Sequence, residues 1–151
     1  MMATPAVDTI HLPKISVVIA SFNSESRSYL RRCLESIKSQ EYSGEVEIIV
    51  VDGGSTDESV SISLAHGARV IYNPNITELG FAGGKNLGIN NSTGEFIAIV
   101  DADNILMNQD YLTKMIQPFM LGASSSSMWK RHLCLLILFP MILPVSMSDD
   151  S

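Results

Sequence analysis

The chain has 151 residues, room for one domain, and is 46% hydrophobic and 17% charged. Its formal net charge of -6 argues against a nucleic-acid-binding protein, because the nucleic-acid backbone requires a basic face. The two cysteines, Cys33 and Cys134, have the spacing of neither a disulfide framework nor a metal site. We therefore expect reduced thiols and a cytoplasmic protein.

Residues 1–13 carry two prolines among scattered polar residues, and we expect a loose leader there. The stretch has no positively charged start and no apolar core, so it does not match a signal peptide. Residues 15–20 (ISVVIA) predict a first buried strand. An amphipathic helix follows, capped by Ser24 or Ser26, and its inner face consists of Tyr29, Leu30, Cys33, Leu34 and Ile37.

The second strand is predicted at residues 46–51 (VEIIVV), and DGGSTD follows it at residues 52–57. The two glycines permit backbone angles that other residues resist, and Ser55 or Thr56 can cap a helix. The inner face of that helix is expected to consist of Val60, Leu64 and Ala65.

Residues 69–72 predict a short third strand, and residues 73–79 are expected to form a loop. A glycine-rich run then leads into a helix over residues 85–91. Lys85, at the start of this helix, can reach a phosphate, although a lysine without an assigned role is more often solvated. The run does not match the phosphate-binding loop, because Asn86 stands where that motif has Ser or Thr.

Residues 96–100 (FIAIV) predict a fourth strand, buried on both faces of a parallel sheet, and the strand ends in Asp101-Ala102-Asp103. Strand side chains alternate, so Asp101 and Asp103 (the acid pair) project to the same side if the extension continues. Their mutual repulsion is tolerable beside a cation, and hard oxygen ligands favour Mg²⁺ or Mn²⁺. The alternative is that both acids end local structure and face water.

Strands alternating with helices predict a doubly wound, mostly parallel α/β sheet with flanking helices. Right-handed crossovers bring three strand ends to one edge, namely residues 21–23, 52–57 and 101–103. At that edge Asp52 can serve a base or ribose, or hold a helix end. The last predicted helix, capped by Asn108 or Asp110, turns inward Tyr111, Leu112, Met115, Ile116 and Phe119.

Residues 121–151 differ in composition, with a serine run at 124–127 and an almost wholly apolar stretch at 133–145. That stretch is shorter than the ~20 residues of a membrane-spanning helix, and Pro140 and Pro144 interrupt helical hydrogen bonding. We expect a tail foreign to the fold, left by truncation or a shifted reading frame, or a disordered segment. Peripheral association with the cytoplasmic face of a membrane stays open.

Four stretches together resemble the nucleotide-sugar-binding half of family 2 glycosyltransferases, which have the GT-A fold. They are SVVIASFN at 16–23, EIIVVDGGSTD at 47–57, GKNLGI at 84–89 and GEFIAIVDAD at 94–103. The resemblance covers residues 14–120, within one domain. It implies a GT-A-like, Rossmann-type sheet, truncated after the D-x-D motif of the family.

The resemblance also implies roles for individual residues. Asp101 and Asp103 match the D-x-D pair, with Asp103 the direct ligand of Mn²⁺ or Mg²⁺ and Asp101 nearer the ribose. Lys85 stands where many relatives carry arginine, and Gly53 stands where members often have a second acid, which leaves base recognition at position 53 unsupported. The residues implied to bind the donor are Ala20, Ser21, Asn23, Asp52, Lys85 and Asp101.

Members of the family transfer a sugar from a nucleotide-diphosphate donor to an acceptor, here an unknown glycan, lipid or protein. In the family, the carboxylate that deprotonates the acceptor lies well beyond the D-x-D pair, and nothing after Met120 resembles that half. The catalytic base is therefore not identified in this chain. Two alternatives remain: a metal-dependent glycosyltransferase or its donor-binding fragment, and a catalytically inactive nucleotide-binding remnant.

Overall fold

The computed structural model of the chain describes residues 11–122 and 142–144. The leader up to residue 10, Cys134, the serine run and most of the predicted tail lie outside the described residues. In chain order the elements are β1 (Ile15–Ser21), α1 (Tyr29–Lys38), β2 (Val46–Asp52), α2 (Ser59–Ala65), β3 (Arg69–Tyr72), α3 (Ile76–Asn90), β4 (Phe96–Asp101), β5 (Asn104–Leu106), α4 (Tyr111–Gly122) and β6 (Ile142–Pro144).

The main sheet consists of four parallel strands in the order β3-β2-β1-β4. α3 covers one face, where Leu87 packs on Val18, Ile49 and Val51. α1 and α4 cover the other face together with Ile62 of α2. Helices on both faces of a parallel sheet are the doubly wound architecture that the strand–helix alternation predicts, and that prediction is confirmed.

β1 is a central strand, because it pairs with β2 on one side and β4 on the other, and all 7 of its residues are buried. The prediction that residues 96–100 are buried on both faces is wrong for β4, where Phe96, Ile97 and Ile99 are half-buried. β4 is an edge strand of the described sheet, and an apolar run does not distinguish an edge from a centre. Phe119, predicted to point inward, is half-exposed, and its ring centroid lies 5.5 Å from that of Phe96.

α1 follows a turn in which Ser28 has a positive φ of 55° and makes no capping bond through its side chain. The capping side chain is Glu25, where the sequence predicts Ser24 or Ser26. The buried Glu25 carboxylate accepts hydrogen bonds from the backbone N–H and from Nε of Arg31, both at 3.1 Å. A charged acceptor at a helix start satisfies a free N–H and favours the positive end of the helix dipole.

α2 turns a different face to the core from the one predicted. The assignment of Leu64 and Ala65 to the inner face is wrong, because both are exposed, while Val60 is half-buried. In SVSISLA an apolar residue occurs at every second position, a spacing that defines no helical face. The hydroxyl of Ser59 sets the face by accepting a hydrogen bond from the Ser24 N–H at 3.0 Å. The buried residues of α2 are Ser59, Ile62 and Ser63.

Residues 76–79, predicted as loop, are helical and begin α3, so that part of the prediction is wrong. Gly80 (φ 57°, ψ -157°) then breaks the helix, and residues 81–90 continue it in a second part. This second part packs closely on the sheet at Gly88, where a Cβ atom would lie 2.3 Å from Cγ1 of Val18. Glycine is required there, and its close approach fixes the second part of α3 against β1.

Glu47 joins three segments at the amino edge of the sheet. Its Oε1 accepts hydrogen bonds from Ser16 Oγ (2.5 Å), Thr93 N (2.6 Å) and Thr93 Oγ1 (2.9 Å). Gly94 N in turn donates to Ser16 Oγ at 2.8 Å. Burial raises the pKa of the Glu47 carboxyl, but the hydrogen bonds from Ser16 and Thr93 outweigh burial and hold that pKa below its ordinary value.

β5 and β6 form a small antiparallel pair next to the acid pair, since β5 begins at Asn104. Neither strand is predicted from the sequence, and β6 lies within the stretch expected to be foreign to the fold. In the part of the chain that the structure describes, no helix has the length and apolarity to cross a membrane.

Candidate functional site

Three strand ends meet at the carboxyl edge of the main sheet. In the strand register Ser21 lies beside Asp52, and Ala20 lies beside Asp101. The strand order reverses at β1, because β2 and β3 lie on one side of it and β4 on the other. Open α/β sheets bind ligands in the crevice at such a switch point.

The loops after β1 and β2 are joined by side-chain hydrogen bonds. Ser55 Oγ donates to Asp52 Oδ1 at 2.5 Å and accepts from the Asn23 N–H at 2.9 Å. Asn23 Oδ1 accepts from the Thr56 N–H at 2.8 Å. Asn23 has a positive φ of 48°, which asparagine tolerates better than most residues. The two loops therefore form one connected wall of the site.

Asp52 lies beneath this wall and is only 4% exposed. Its Oδ2 accepts hydrogen bonds from Gly54 N (2.8 Å) and Ser55 N (2.9 Å), and its Oδ1 is bonded to the Ser55 hydroxyl. The carboxylate is thus engaged in the shape of its own loop. Ser21 is also buried, and its hydroxyl has no hydrogen-bond partner among the described residues.

Asp57 extends the same network toward α1 and α2. Its Oδ2 accepts from the Glu25 N–H at 2.9 Å, and its Oδ1 accepts from the Ser59 N–H at 3.0 Å. Burial raises the pKa of the Asp57 carboxyl, but hydrogen bonds from Ser59 and Glu25 outweigh it and hold the pKa below its ordinary value. This acid supports the site from outside and stays charged at neutral pH.

The acid pair follows directly from the end of β4. Asp101 is the last residue of the strand, and Ala102 and Asp103 form a turn before β5. Ala102 is buried while Asp101 and Asp103 are exposed, so the alternation that the sequence predicts continues through the turn. Both acids line the same cavity.

Cys33 of α1 lies directly below the acid pair. Its Sγ donates a weak hydrogen bond to the Asp101 carbonyl at 3.7 Å, and the side chain is buried. Burial, together with the charges of Asp103 and Asp101, raises the pKa of the Cys33 thiol to about 12. The thiol therefore stays protonated and supports the turn as a small apolar group.

Lys85 reaches the acid pair from α3. Its Nζ lies 2.7 Å from Asp101 Oδ1, in an ion pair whose side chains are 30% and 57% exposed respectively. Asp103 has no hydrogen-bond or ion-pair partner among residues 11–122 and 142–144. One carboxylate is thus paired with a cation of the chain, and its neighbour retains free oxygen acceptors.

A cavity of about 480 Å³ connects these groups, and we refer to it as the carboxyl-edge cavity. Of the predicted site residues, five line it: Ala20, Asn23, Lys85, Asp101 and Asp103. The other two, Ser21 and Asp52, lie beneath it. Its lining is completed by Phe22, Ser24, Ser26, Tyr29, Phe81 and Ala102.

The aromatic lining is the part of the cavity that sequence reasoning missed. Phe22 is 44% exposed and Phe81 is 52% exposed, and the two rings come from the loop after β1 and from α3. Exposed rings of this kind offer stacking surfaces for a planar base. A sequence signal existed for both, because each phenylalanine stands next to a strand end or within a glycine-rich run, where a core residue is not expected.

The carboxylate oxygens that line the cavity are suitable ligands for a magnesium or manganese ion. These ions take one or two carboxylates and complete their coordination with water and substrate phosphates. Asp101 and Asp103 supply such a pair of hard oxygen ligands on one wall. Among the residues described, no group of three or more His, Cys, Asp or Glu side chains could hold a metal ion.

A second depression of about 660 Å³ lies between the end of α1 and the β5–α4 connection. Its charged groups include Asp110 and Lys114, whose carboxylate and ammonium pair with each other at 2.7 Å. It shares no lining residue with the carboxyl-edge cavity.

Comparison with known proteins identifies a family whose match includes the three strand ends, and relatives of this chain. The family model described as glycosyl transferase family 2 matches residues 16–128. The chain is 38% identical over 104 residues to glycosyltransferase GlyA of Streptococcus pneumoniae serotype 4, in a match covering 66% of this chain and 14% of GlyA. The chain thus spans a small part of this curated relative.

Two solved structures are similar to that of this chain. S. aureus TarS 1-349, solved in complex with UDP, has a TM-score of 0.60 and 28% identity over 70% of this chain and 32% of that one. Glucosyl-3-phosphoglycerate synthase from Mycobacterium tuberculosis, solved with Mn²⁺, UDP and glucosyl-3-phosphoglycerate, has a TM-score of 0.55 and 25% identity over 74% of this chain and 41% of that one. The predicted GT-A fold is confirmed by these neighbours.

Proposed function

The chain belongs to glycosyl transferase family 2, and from that membership we propose that the carboxyl-edge cavity binds a nucleotide-diphosphate sugar. The observation that carries the proposal is the exposed acid pair beside Lys85, at the switch point of the sheet. A diphosphate needs compensating positive charge, and these three side chains offer an ammonium and a place for a divalent ion. The similar enzymes solved with UDP and Mn²⁺ support the same assignment.

The nucleoside end of the donor is assigned to the side of the cavity formed by the end of β1, the loop that follows it and α3. Ala20 and Asn23 line this side, and Phe22 and Phe81 expose rings that can stack on a base. Asp52 holds the loop beneath, where its carboxylate is already bonded to backbone N–H groups and a hydroxyl.

The diphosphate end is assigned to the acid pair and Lys85. A bound Mn²⁺ or Mg²⁺ would supply a Lewis acid that neutralises the diphosphate and stabilises the departing nucleoside diphosphate. Asp103 and Asp101 would hold it, since both are exposed on one wall and Asp103 has free acceptors. The Lys85 ammonium adds positive charge from the opposite element, α3.

Sugar transfer to a glycan, lipid or protein acceptor is proposed for the protein of which these residues form the donor site. Within the described residues, the carboxylates lining the cavity are Asp101 and Asp103, both assigned to the ion, so the base that deprotonates the acceptor is not assigned. The family match and the intact acid pair do not favour an inactive remnant. A cytoplasmic location and peripheral membrane association stay predictions.

Thermal denaturation with and without ligand tests the donor site. In the presence of Mn²⁺, at least one of UDP, GDP and dTDP at about 100 times its Kd should raise the Tm of the chain by about 5–10 °C. The shift should vanish when EDTA removes the ion. If none of the three nucleotides stabilises the chain in Mn²⁺, the proposed function is wrong. Turnover of a radiolabelled nucleotide sugar would in addition eliminate the inactive alternative.

A further inference from the structure

We propose that Lys85 is a resident counter-ion of the acid pair, which holds Asp101 while no donor is bound and moves to the donor diphosphate when a divalent ion takes the carboxylates. The inference rests on the proposed function and adds an energetic coupling to it. Nucleotide and divalent ion should each bind more tightly when the other is present. The ion displaces Lys85 from Asp101, and the diphosphate of the nucleotide accepts the displaced ammonium.

The starting observation is the ion pair between Lys85 Nζ and Asp101 Oδ1, at 2.7 Å. Both side chains line the carboxyl-edge cavity and are partly exposed, so the pair can open without moving the backbone. An ammonium 2.7 Å from one oxygen of the Asp101 carboxylate repels a divalent ion that approaches the same carboxylate. The lysine therefore competes directly with a metal for Asp101.

The backbone that carries Lys85 is held in place by its glycines. A Cβ atom on Gly84 would lie 3.4 Å from the Ala20 Cβ, and one on Gly88 would lie 2.3 Å from Cγ1 of Val18. α3 thus lies against the Val18 and Ala20 side chains of β1, with no side chain of its own at these two positions. The Cα position of Lys85 is therefore fixed. Its flexible side chain can place the ammonium either on Asp101 or on the donor diphosphate in the same cavity.

Charge balance gives the direction of the exchange. Two carboxylates and one ammonium leave a single uncompensated negative charge on this wall of the cavity. A divalent ion alone reverses the sign and leaves the displaced ammonium facing a cation, which is unfavourable at such distances. A donor diphosphate brings negative charge that offsets this excess positive charge, and it gives Lys85 a new partner.

Two titrations of the wild-type chain and of Lys85→Met test the exchange. Binding of Mn²⁺ alone is followed by the loss of the free-ion EPR signal. Binding of the nucleotide, whichever of UDP, GDP and dTDP binds the wild type most tightly, is followed by calorimetry in excess Mn²⁺. Lys85→Met should bind Mn²⁺ alone about two- to fivefold more tightly, because a partly exposed competing ion pair is gone. It should bind the nucleotide about ten- to hundredfold more weakly, because a charge-assisted hydrogen bond is lost.

Opposite signs for the two ligands distinguish the exchange from misfolding, which would weaken both. Lys114→Met is the matched control, because Lys114 Nζ also lies 2.7 Å from a carboxylate, that of Asp110, outside the carboxyl-edge cavity. It should leave both affinities unchanged. If Lys85→Met binds Mn²⁺ no more tightly than the wild type, the exchange is wrong while donor binding stands. If the wild type binds none of the nucleotides in Mn²⁺, the proposed function fails as well.

Discussion

The two edges of the main sheet both carry carboxylates, in very different surroundings. At the amino edge, Glu47 Oε1 accepts three hydrogen bonds from Ser16 and Thr93, and its side chain is 17% exposed. At the carboxyl edge, Asp101 has one ion-pair partner and is 57% exposed, and Asp103 is exposed beside it. The carboxylate at the amino edge is bonded within the fold, and the carboxylates at the carboxyl edge are accessible to a ligand.

The difference separates acids that stabilise the fold from acids that are available to a ligand. A carboxylate surrounded by N–H and O–H donors keeps its charge without outside help. Asp52 shows that location is not the criterion: it lies at the carboxyl edge, yet its oxygens are bonded within the fold as those of Glu47 are. The internal donors around each acid therefore decide whether its removal changes stability or binding.

Asp103→Ala is expected to have the largest effect and to act on binding alone. The affinity for a nucleoside diphosphate in Mn²⁺ should fall at least about 100-fold, or about 2.7 kcal/mol, measured by calorimetry. The Tm should stay close to that of the wild type, because Asp103 has no partner among the described residues. Asp110→Ala, which removes a half-exposed acid outside the cavity, is the control. A lower Tm with unchanged binding would show that Asp103 stabilises the fold and does not bind the ligand.

Glu47→Ala is the converse experiment at the amino edge. The free energy of unfolding in urea should fall by about 2–3 kcal/mol, because the Ser16 hydroxyl and the Thr93 N–H lose a charged acceptor. The folded variant should bind nucleotide within about twofold of the wild type, since the network lies at the opposite end of the strands. Unchanged stability would show that the amino-edge hydrogen bonds contribute nothing net.

Gly94→Ala tests how tightly the amino edge is built. A Cβ at this position would lie 2.5 Å from Ser16 Oγ and 2.6 Å from Ser16 N, so the backbone must shift, at a cost of about 1–3 kcal/mol in unfolding free energy. Gly84→Ala is the matched comparison near the other edge. Its Cβ would meet Ala20 at 3.4 Å, an ordinary contact, and alanine favours the helix. Equal destabilisation by both variants would contradict the assigned packing.

The pH dependence of stability should reveal Glu47 with the smallest effect. Its pKa in the folded chain lies below the ordinary 4.5, so the stabilisation it provides is complete above that pH and is lost as the pH falls through the folded pKa. Glu47→Gln should be about 1 kcal/mol less stable than the wild type at pH 7. This difference should shrink below about pH 4.5, as urea unfolding at successive pH values would measure. A constant difference at all pH values would mean that charge is not the cause.

The pattern of apolar residues and the turn and capping residues between them were sufficient to predict much of the fold. The apolar runs locate the four parallel strands, and the acids at the end of β4 mark the site, because two like charges side by side at a strand end are tolerable beside a cation. The edge position of β4 was not predictable, since an apolar run does not reveal how many neighbours a strand has. The inner face of α2 was missed because Ser59 sets it through a contact with Ser24, distant in sequence.

The site was predictable as a location more than as a set of contacts. Lys85 and the acid pair were named from their positions in the chain, but their 2.7 Å ion pair depends on α3 lying directly on β1. Asp52 could be given two roles from sequence, and only the geometry of Gly54 and Ser55 shows its oxygens bonded to the loop. Hydrogen-bond partners depend on angles that residue types do not encode.

The break at Gly80 determines where the chain tolerates insertions and deletions. Residues before it belong to a separate helical turn, so lengthening the chain there leaves the spacing from Lys85 to Gly88 unchanged. One residue inserted between Lys85 and Gly88 would instead rotate the lysine by about 100° around the helix axis relative to its anchor on Val18. Related chains of different length should therefore differ before this glycine and agree in length after it.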